Sequence, residues 1–202
     1  MSAPSHDPLL NAQRTGYTRS GFAARYHAYR PTPPEALIGM LLQLAQTPRP
    51  DLVVDLGSGT GLSTGIWAPH AQRVVGIEPL DAMRQVAQAS HPAPHVHFHA
   101  GVAQQTGLPD GTADIVTCAQ SLHDMEPQST LAEVARILRG GGVFAAYDYD
   151  WPPVIHWEAE QAFCTFTDRI SALWKQYAIT DEMQQWVKHN HLERMWRSDR
   201  FR

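Results

Sequence analysis

The segment Leu52-Val53-Val54-Asp55-Leu56-Gly57-Ser58-Gly59-Thr60-Gly61 constrains this chain more than any other. Leu52 to Leu56 is a short apolar run, the pattern of a strand buried on both faces. Three glycines at alternate positions follow, and Leu62-Ser63-Thr64-Gly65-Ile66-Trp67 then opens a helix. Glycine permits positive φ and lets a ligand approach where a Cβ would clash. The helix start behind the turn presents N–H groups without helical partners. Strand, glycine turn and helix in that order make a cradle of nucleotide-binding type. The spacing is GxGxG, not the GxGxxG of dinucleotide binders. The third glycine of that pattern would fall at Leu62, which disfavours a nicotinamide oxidoreductase.

A second strand, Arg73-Val74-Val75-Gly76-Ile77-Glu78, ends in an acid. Glu78 stands 21 positions after Gly57, the usual gap between a glycine turn and a carboxylate that holds a ribose diol. DLGSGTG at 55–61, GIEP at 76–79, LPDGTADIV at 108–116 and the strand led by Gly140-Gly141-Gly142 together resemble the class I S-adenosylmethionine-dependent methyltransferases, of the small-molecule, ubiquinone-biosynthesis-like kind. The resemblance runs from Phe22 to Asp150. It implies an α/β fold with a Rossmann-like doubly wound sheet, S-adenosyl-L-methionine as cofactor, and an enzyme that methylates a small-molecule acceptor.

It also implies roles. Gly57, Ser58, Gly59 and Gly61 would contact the methionine part through the backbone. Asp55 would orient the loop or reach the cofactor's amino group, directly or through water. Glu78 would take both ribose hydroxyls, because a carboxylate offers two acceptors to two donors. Ile77, Pro79 and Leu80 would flank the adenine. Many relatives carry an acid where this chain has Val102. Here an apolar side chain would pack on the adenine, with the N–H of Val102 or Ala103 serving the ring nitrogens.

Ala113 to Ala119 reads as a fourth buried strand, with Gln120-Ser121-Leu122-His123-Asp124 at its C-terminal end. Ligands of open α/β sheets bind outside that end, so Gln120, Ser121 and His123 are expected near the cofactor sulfur or the acceptor. His123 is the candidate base for an acceptor hydroxyl or amine; the alternative is a histidine that only shapes the pocket or packs on Trp151. Asp148, Asp150 and Trp151, after the fifth strand Val143 to Tyr147, are candidate acceptor contacts. Tyr26 joins them: Phe22, Tyr26 and Tyr29 share one face of a short helix, either packed on the domain or lying over the cofactor.

The other elements follow from periodicity. Ala36, Leu37, Met40, Leu41 and Leu44 make an apolar helical stripe. Asp81 is an expected N-cap of the helix Ala82 to Ala89. Pro127 to Arg139 reads as a helix with Glu133 and Arg136 facing water, closed by the three glycines. His95, His97 and His99 share one face of a third strand, about 7 Å apart, a spacing that does not converge on one ion. No metal site is expected.

With 202 residues, 43% hydrophobic and 18% charged, the chain is long enough for one core. Its formal net charge of −4 argues against a generic nucleic-acid binder. Cys118 and Cys164 form no disulfide framework. No run of about 18 apolar residues marks a membrane span, and the N-terminus lacks the pattern of a secretory signal; a cytoplasmic location is expected. The domain reading is a loose arm over 1–20, a cofactor-binding core over 21–150 and a helical cap over 151–202. In the cap, Phe163, Phe166, Ile170, Leu173, Trp174 and Tyr177 make a wide stripe with little to cover it, and a further helix is expected from Asp181 to Trp196. The resembling family has seven strands, and five are countable here. Either the sequence is a truncated piece or the shortened protein is natural. The uncovered edge makes a homodimer or marginal stability the expectation. The rival functional reading is a methyltransferase fold that binds S-adenosylmethionine but no longer turns it over.

Overall fold

The computed structural model describes residues 17–149, 156–177 and 190–201, apart from the side chains of Trp174 and Lys175. Asp150, Trp151 and the stretch Asp181 to Val187 lie outside the described residues, as do the Trp174 side chain and residues 1–16.

Two helices, α1 (Phe22–Tyr29) and α2 (Ala36–Leu44), precede the sheet. Then come β1 (Val53–Leu56), the one-turn α3 (Leu62–Gly65), β2 (Val74–Ile77), α4 (Asp81–Ser90), β3 (Val96–His99) and β4 (Ala113–Ala119). A short 3-10 turn (Leu122–Asp124) leads to α5 (Pro127–Ile137), β5 (Leu138–Tyr147), α6 (Trp157–Gln176) and α7 (His191–Arg197). The strands form one sheet of order β3-β2-β1-β4-β5, and every neighbouring pair is parallel. This is the Rossmann-like class I methyltransferase architecture expected from the sequence.

β1 and β2 are buried along their whole length because helices cover both faces. Val54, Leu56, Val75, Ile77 and Val116 pack with Val134 and Ile137 of α5 on one side. Val53, Val74, Val96, Phe98 and Ile115 pack with Ile38 and Leu41 of α2 and with Ala87 of α4 on the other. The strands therefore cannot slip without moving both layers.

Several local readings change. α2 docks through Ile38 and Leu41, while Met40 and Leu44 stand about 60% exposed. Its sequence, ALIGMLLQL, is apolar on every side, so periodicity selects no face. Tyr29 is 86% exposed and leaves the face formed by Phe22 and Tyr26. Asp81 is the first residue inside α4, not its cap; there it accepts from Arg84 and Gln85. α5 ends at Ile137, two residues early, and Leu138 already takes extended dihedrals and pairs with Ala113. The glycines thus lie within the irregular start of β5. Gly142 is needed there, because a Cβ would stand 3.0 Å from the Arg139 carbonyl oxygen and 3.1 Å from that of Ala113. Glu133 does not face water. It is buried and accepts from the Thr106 N–H (2.7 Å) and hydroxyl (2.6 Å) and from Arg136.

In the stripe on α6, Phe166 and Tyr177 are each more than 60% exposed and Leu173 is 38% exposed, while Phe163 and Ile170 are half-buried. Phe201, by contrast, returns to the sheet and packs on Phe144 with ring centroids 5.6 Å apart.

Candidate functional site

The strand order reverses between β1 and β4, and a parallel sheet presents its ligand crevice at that switch point, outside the C-terminal strand ends. A cleft with about 820 Å³ of empty space, part of it open to solvent, lies there. Gly57 and Gly59 border it from the loop after β1, Glu78, Pro79 and Leu80 from the end of β2, Val102 and Ala103 from the segment after β3, and Gln120 and Ser121 from the end of β4.

Glu78 is 6% exposed. Its two carboxylate oxygens accept separately: Oε2 from the Gly59 N–H at 3.0 Å and Oε1 from the Leu80 N–H at 2.9 Å. An ionised carboxylate has about four acceptor positions, so both oxygens keep capacity on the cleft side. Burial raises the carboxyl's pKa, opposed by those two N–H donors and by Arg84. Arg84 also donates to the Glu78 carbonyl at 2.8 Å, which fixes the turn that carries the acid.

The loop is held by its own amides. Gly57 and Ser58 N–H both donate to the Ile77 carbonyl (2.9 and 3.1 Å), and Gly61 N–H donates to Ser58 (2.9 Å). Gly57, Gly59 and Gly61 all have positive φ. Gly57 admits no side chain: a Cβ would stand 2.7 Å from Met125 Cε and from Ser121 Cβ. At Gly59 a Cβ would meet no atom of the described residues within 4 Å, so this residue borders space that a side chain would otherwise occupy. That opening, beside a two-oxygen acid and a wall of Ile77, Leu80, Met83 and Val102, fits an adenosyl ligand.

Asp55, Ser58 and Gly61 stand behind this surface rather than in it. Asp55 is fully buried and accepts from Ser63 (2.6 Å), Thr64 (2.7 Å) and Thr117 (2.9 Å) hydroxyls. These bonds tie β1 to α3 and β4. Burial pushes its pKa up against those three donors. Ser58 packs on Gly76, where a Cβ would lie 2.7 Å from the serine Oγ. Gly61 makes room for His91 and Phe98, both within 3 Å of where its Cβ would be.

Six lining residues are not site candidates in the sequence: Tyr17, Met83, Gln104, Ala119, Asp124 and Met125. Tyr17 falls in the segment read as a loose arm. It stacks on Phe22 at 5.0 Å and leans on Tyr26 at 5.8 Å, so α1 and its lead-in wall the cleft. Burial raises the Tyr17 hydroxyl to about 12, which keeps it neutral. At the C-terminus of α1, the Arg30 guanidinium lies 5.5 Å from the centre of the Tyr26 ring and 5.7 Å from that of Tyr149, and it donates to the Gln120 side chain. Gln120 itself has φ 54°, a conformation that non-glycine residues adopt under constraint.

His123 and Asp148 do not border this cleft. They face a second cavity of about 600 Å³, walled also by Tyr147, His191, Leu192 and Met195. Gln120 and Ser121 border both spaces. His123 Nδ1 lies 3.4 Å from Asp148 and Nε2 lies 3.7 Å from Asp124. Tyr26, the remaining acceptor candidate, lies in the first cleft, and Trp151 falls outside the described residues. His97 and His99 are exposed on β3 with centroids 6.5 Å apart, while His95 bonds the Ala68 carbonyl at 2.8 Å. Among the described residues no group of three or more His, Cys, Asp or Glu is arranged to hold a metal ion.

Comparison with known proteins bears on this geometry. The profile of the methyltransferase domain family matches residues 54–146. Over 186 residues the chain is 25% identical to the probable S-adenosylmethionine-dependent methyltransferase CRG1 of Saccharomyces cerevisiae, covering 89% of this chain and 60% of that protein. It is 36% identical over 118 residues to the uncharacterized methyltransferase Rv3342 of Mycobacterium tuberculosis, covering 58% of this chain and 46% of that one. The chain thus spans between 46% and 60% of the length of these two curated relatives. Among solved structures, the geranyl diphosphate C-methyltransferase of Streptomyces coelicolor superposes with a TM-score of 0.64 at 15% identity, covering 98% of this chain and 81% of that one; the likeness is one of fold.

Proposed function

Residues 54–146 belong to the methyltransferase domain family, and from that premise we propose that this protein transfers a methyl group from S-adenosyl-L-methionine to a small-molecule acceptor. The observation that carries the proposal is the buried Glu78 carboxylate at the switch-point cleft, with one backbone N–H on each oxygen and further acceptor capacity toward the cleft. Bound there, S-adenosylmethionine supplies a methyl group on a sulfonium, already equipped with a good leaving group.

The chain's own residues then have positional work. Glu78 accepts from two ribose hydroxyls. Ile77, Pro79, Leu80, Met83 and Val102 would supply the apolar surface for the adenine. Gly57 and Gly59 let the methionine end approach the backbone, and the buried Asp55 keeps that loop in shape. Rate enhancement rests largely on proximity and alignment. The second cavity is the acceptor space in this reading, because Gln120 and Ser121 form the partition that it shares with the cofactor cleft. His123 borders that cavity with Asp148 beside Nδ1, an arrangement suited to taking a proton from the acceptor. The exposed Phe166, Leu173 and Tyr177 on α6 support the homodimer that belongs to the same reading; a monomer in sedimentation velocity at all concentrations would remove that part.

Isothermal titration of the full chain with S-adenosylhomocysteine, set beside transfer of a labelled methyl group from S-adenosylmethionine to a panel of phenols, amines and thiols, tests the proposal. Binding and turnover are expected. Absence of binding overturns the proposal, and binding without turnover on any acceptor supports the inactive binding protein. His123→Gln is expected to lower kcat at least tenfold while leaving S-adenosylhomocysteine affinity unchanged.

A further inference from the structure

Behind the glycine loop two histidines meet that the methyl-transfer reading does not use. His27 is on α1, the helix that carries Tyr26 into the cleft wall. His91 follows the last turn of α4. Their rings meet edge to face at 6.1 Å, 71° apart. His27 Nδ1 and His91 Nε2 are both buried and have no hydrogen-bond partner among the described residues. The neutral imidazole is an amphoteric ring that tolerates such a setting; the imidazolium needs an acceptor at each N–H.

His91 is also wedged into the backbone of the cradle. A Cβ on Gly65 would lie 2.2 Å from His91 Cε1, and one on Gly61 would lie 2.8 Å from His91 Cδ2. The ring therefore lies flush against α3, the turn of helix whose hydroxyls hold Asp55. On its remaining side is Phe98, 6.1 Å away. Of the elements packed around it, α3 presents Gly61 and Gly65 and β3 presents Phe98, all uncharged. The titratable group acting on His91 is His27 of α1, which joins burial in lowering the His91 pKa from its ordinary 6.5.

We propose that the His27–His91 pair is a pH-sensitive latch that docks α1 against the cofactor cradle and weakens cofactor binding when the His91 ring is protonated. The latch rests on the cofactor reading above for its readout, not for its geometry. The docked state excludes a proton that the undocked histidine accepts. Docking is therefore favoured above pH 6.5 and is lost progressively as pH falls below it. Positive charge on the neighbouring His27 ring also opposes charge on His91.

The test is calorimetric titration of the full chain with S-adenosylhomocysteine at pH 8.0 and pH 5.5, for the wild type and for the double variant His27→Gln, His91→Gln. Burial also raises the Glu78 pKa, so the difference between the two proteins is the diagnostic quantity. The wild type is expected to lose at least tenfold more affinity than the double variant over this range. Equal pH dependence in the two proteins overturns the latch. Should the double variant fail to fold, the ring carbon–proton NMR signal of His91 in the wild type decides: a midpoint below 6.5 is expected, and one at or above 6.5 overturns the proposal. If the wild type binds no S-adenosylhomocysteine at pH 8.0, the cofactor reading fails, and the NMR titration still judges the latch.

Discussion

At the scale of single residues, Glu78 concentrates the most binding consequence in the fewest atoms. Glu78→Ala removes both ribose acceptors and is expected to weaken S-adenosylhomocysteine binding by about 2 to 3 kcal/mol, roughly 30- to 150-fold, in calorimetry; unchanged affinity would remove Glu78 from the ribose site. Glu133 carries a different consequence. The Arg136 and Thr106 donors hold its carboxyl down to about 2, against the opposing effect of burial. A carboxyl depressed in the folded state stabilises the protein above its unfolded pKa, near 4.5, and loses that contribution as pH falls toward 2. Urea unfolding should therefore show Glu133→Gln about 2 kcal/mol less stable than wild type at pH 7, with the gap closing by pH 2 to 3. Gly65→Ala drives a methyl into the His91 ring and is expected to cost about 1 to 3 kcal/mol in the same assay. Adding His91→Ala should recover part of that loss, since it vacates the space. Additive losses would show that the ring does not fill the notch.

Among the elements, those with one permissible environment were legible from the sequence and those with two were not. β1 and β2 are short apolar runs that only a doubly covered sheet can bury, and the glycine loop with Glu78 specified the cleft between them. α2 was misplaced on its axis because ALIGMLLQL offers apolar side chains all round. Glu133 was read as solvated because its partner Thr106 lies 27 positions away, and no local pattern announces such a pair. Tyr17 was missed for the same reason: it reaches the cleft only by stacking on α1. Helix α1 is fastened to the sheet by Arg30, placed between Tyr26 and Tyr149 and bonded to Gln120. Because Arg30 is exposed, the fastening can open. Arg30→Ala is expected to speed S-adenosylhomocysteine dissociation several-fold in stopped-flow fluorescence, with association nearly unchanged.

For the molecule as a whole, five parallel strands place every strand end that borders the cleft on one rim. The second cavity could not be read from the sequence, since His123 and Asp148 from the β4 and β5 ends meet His191, Leu192 and Met195 there from a helix more than 40 positions further on. The parallel arrangement also leaves an opposite rim with a separate use. The connection Thr47-Pro48-Arg49 enters β1 from that far side, and none of its residues lines the cleft. A peptide tag or a surface linker inserted after Pro48 would leave the working end facing outward, making this turn the natural handle for immobilising the protein without blinding it.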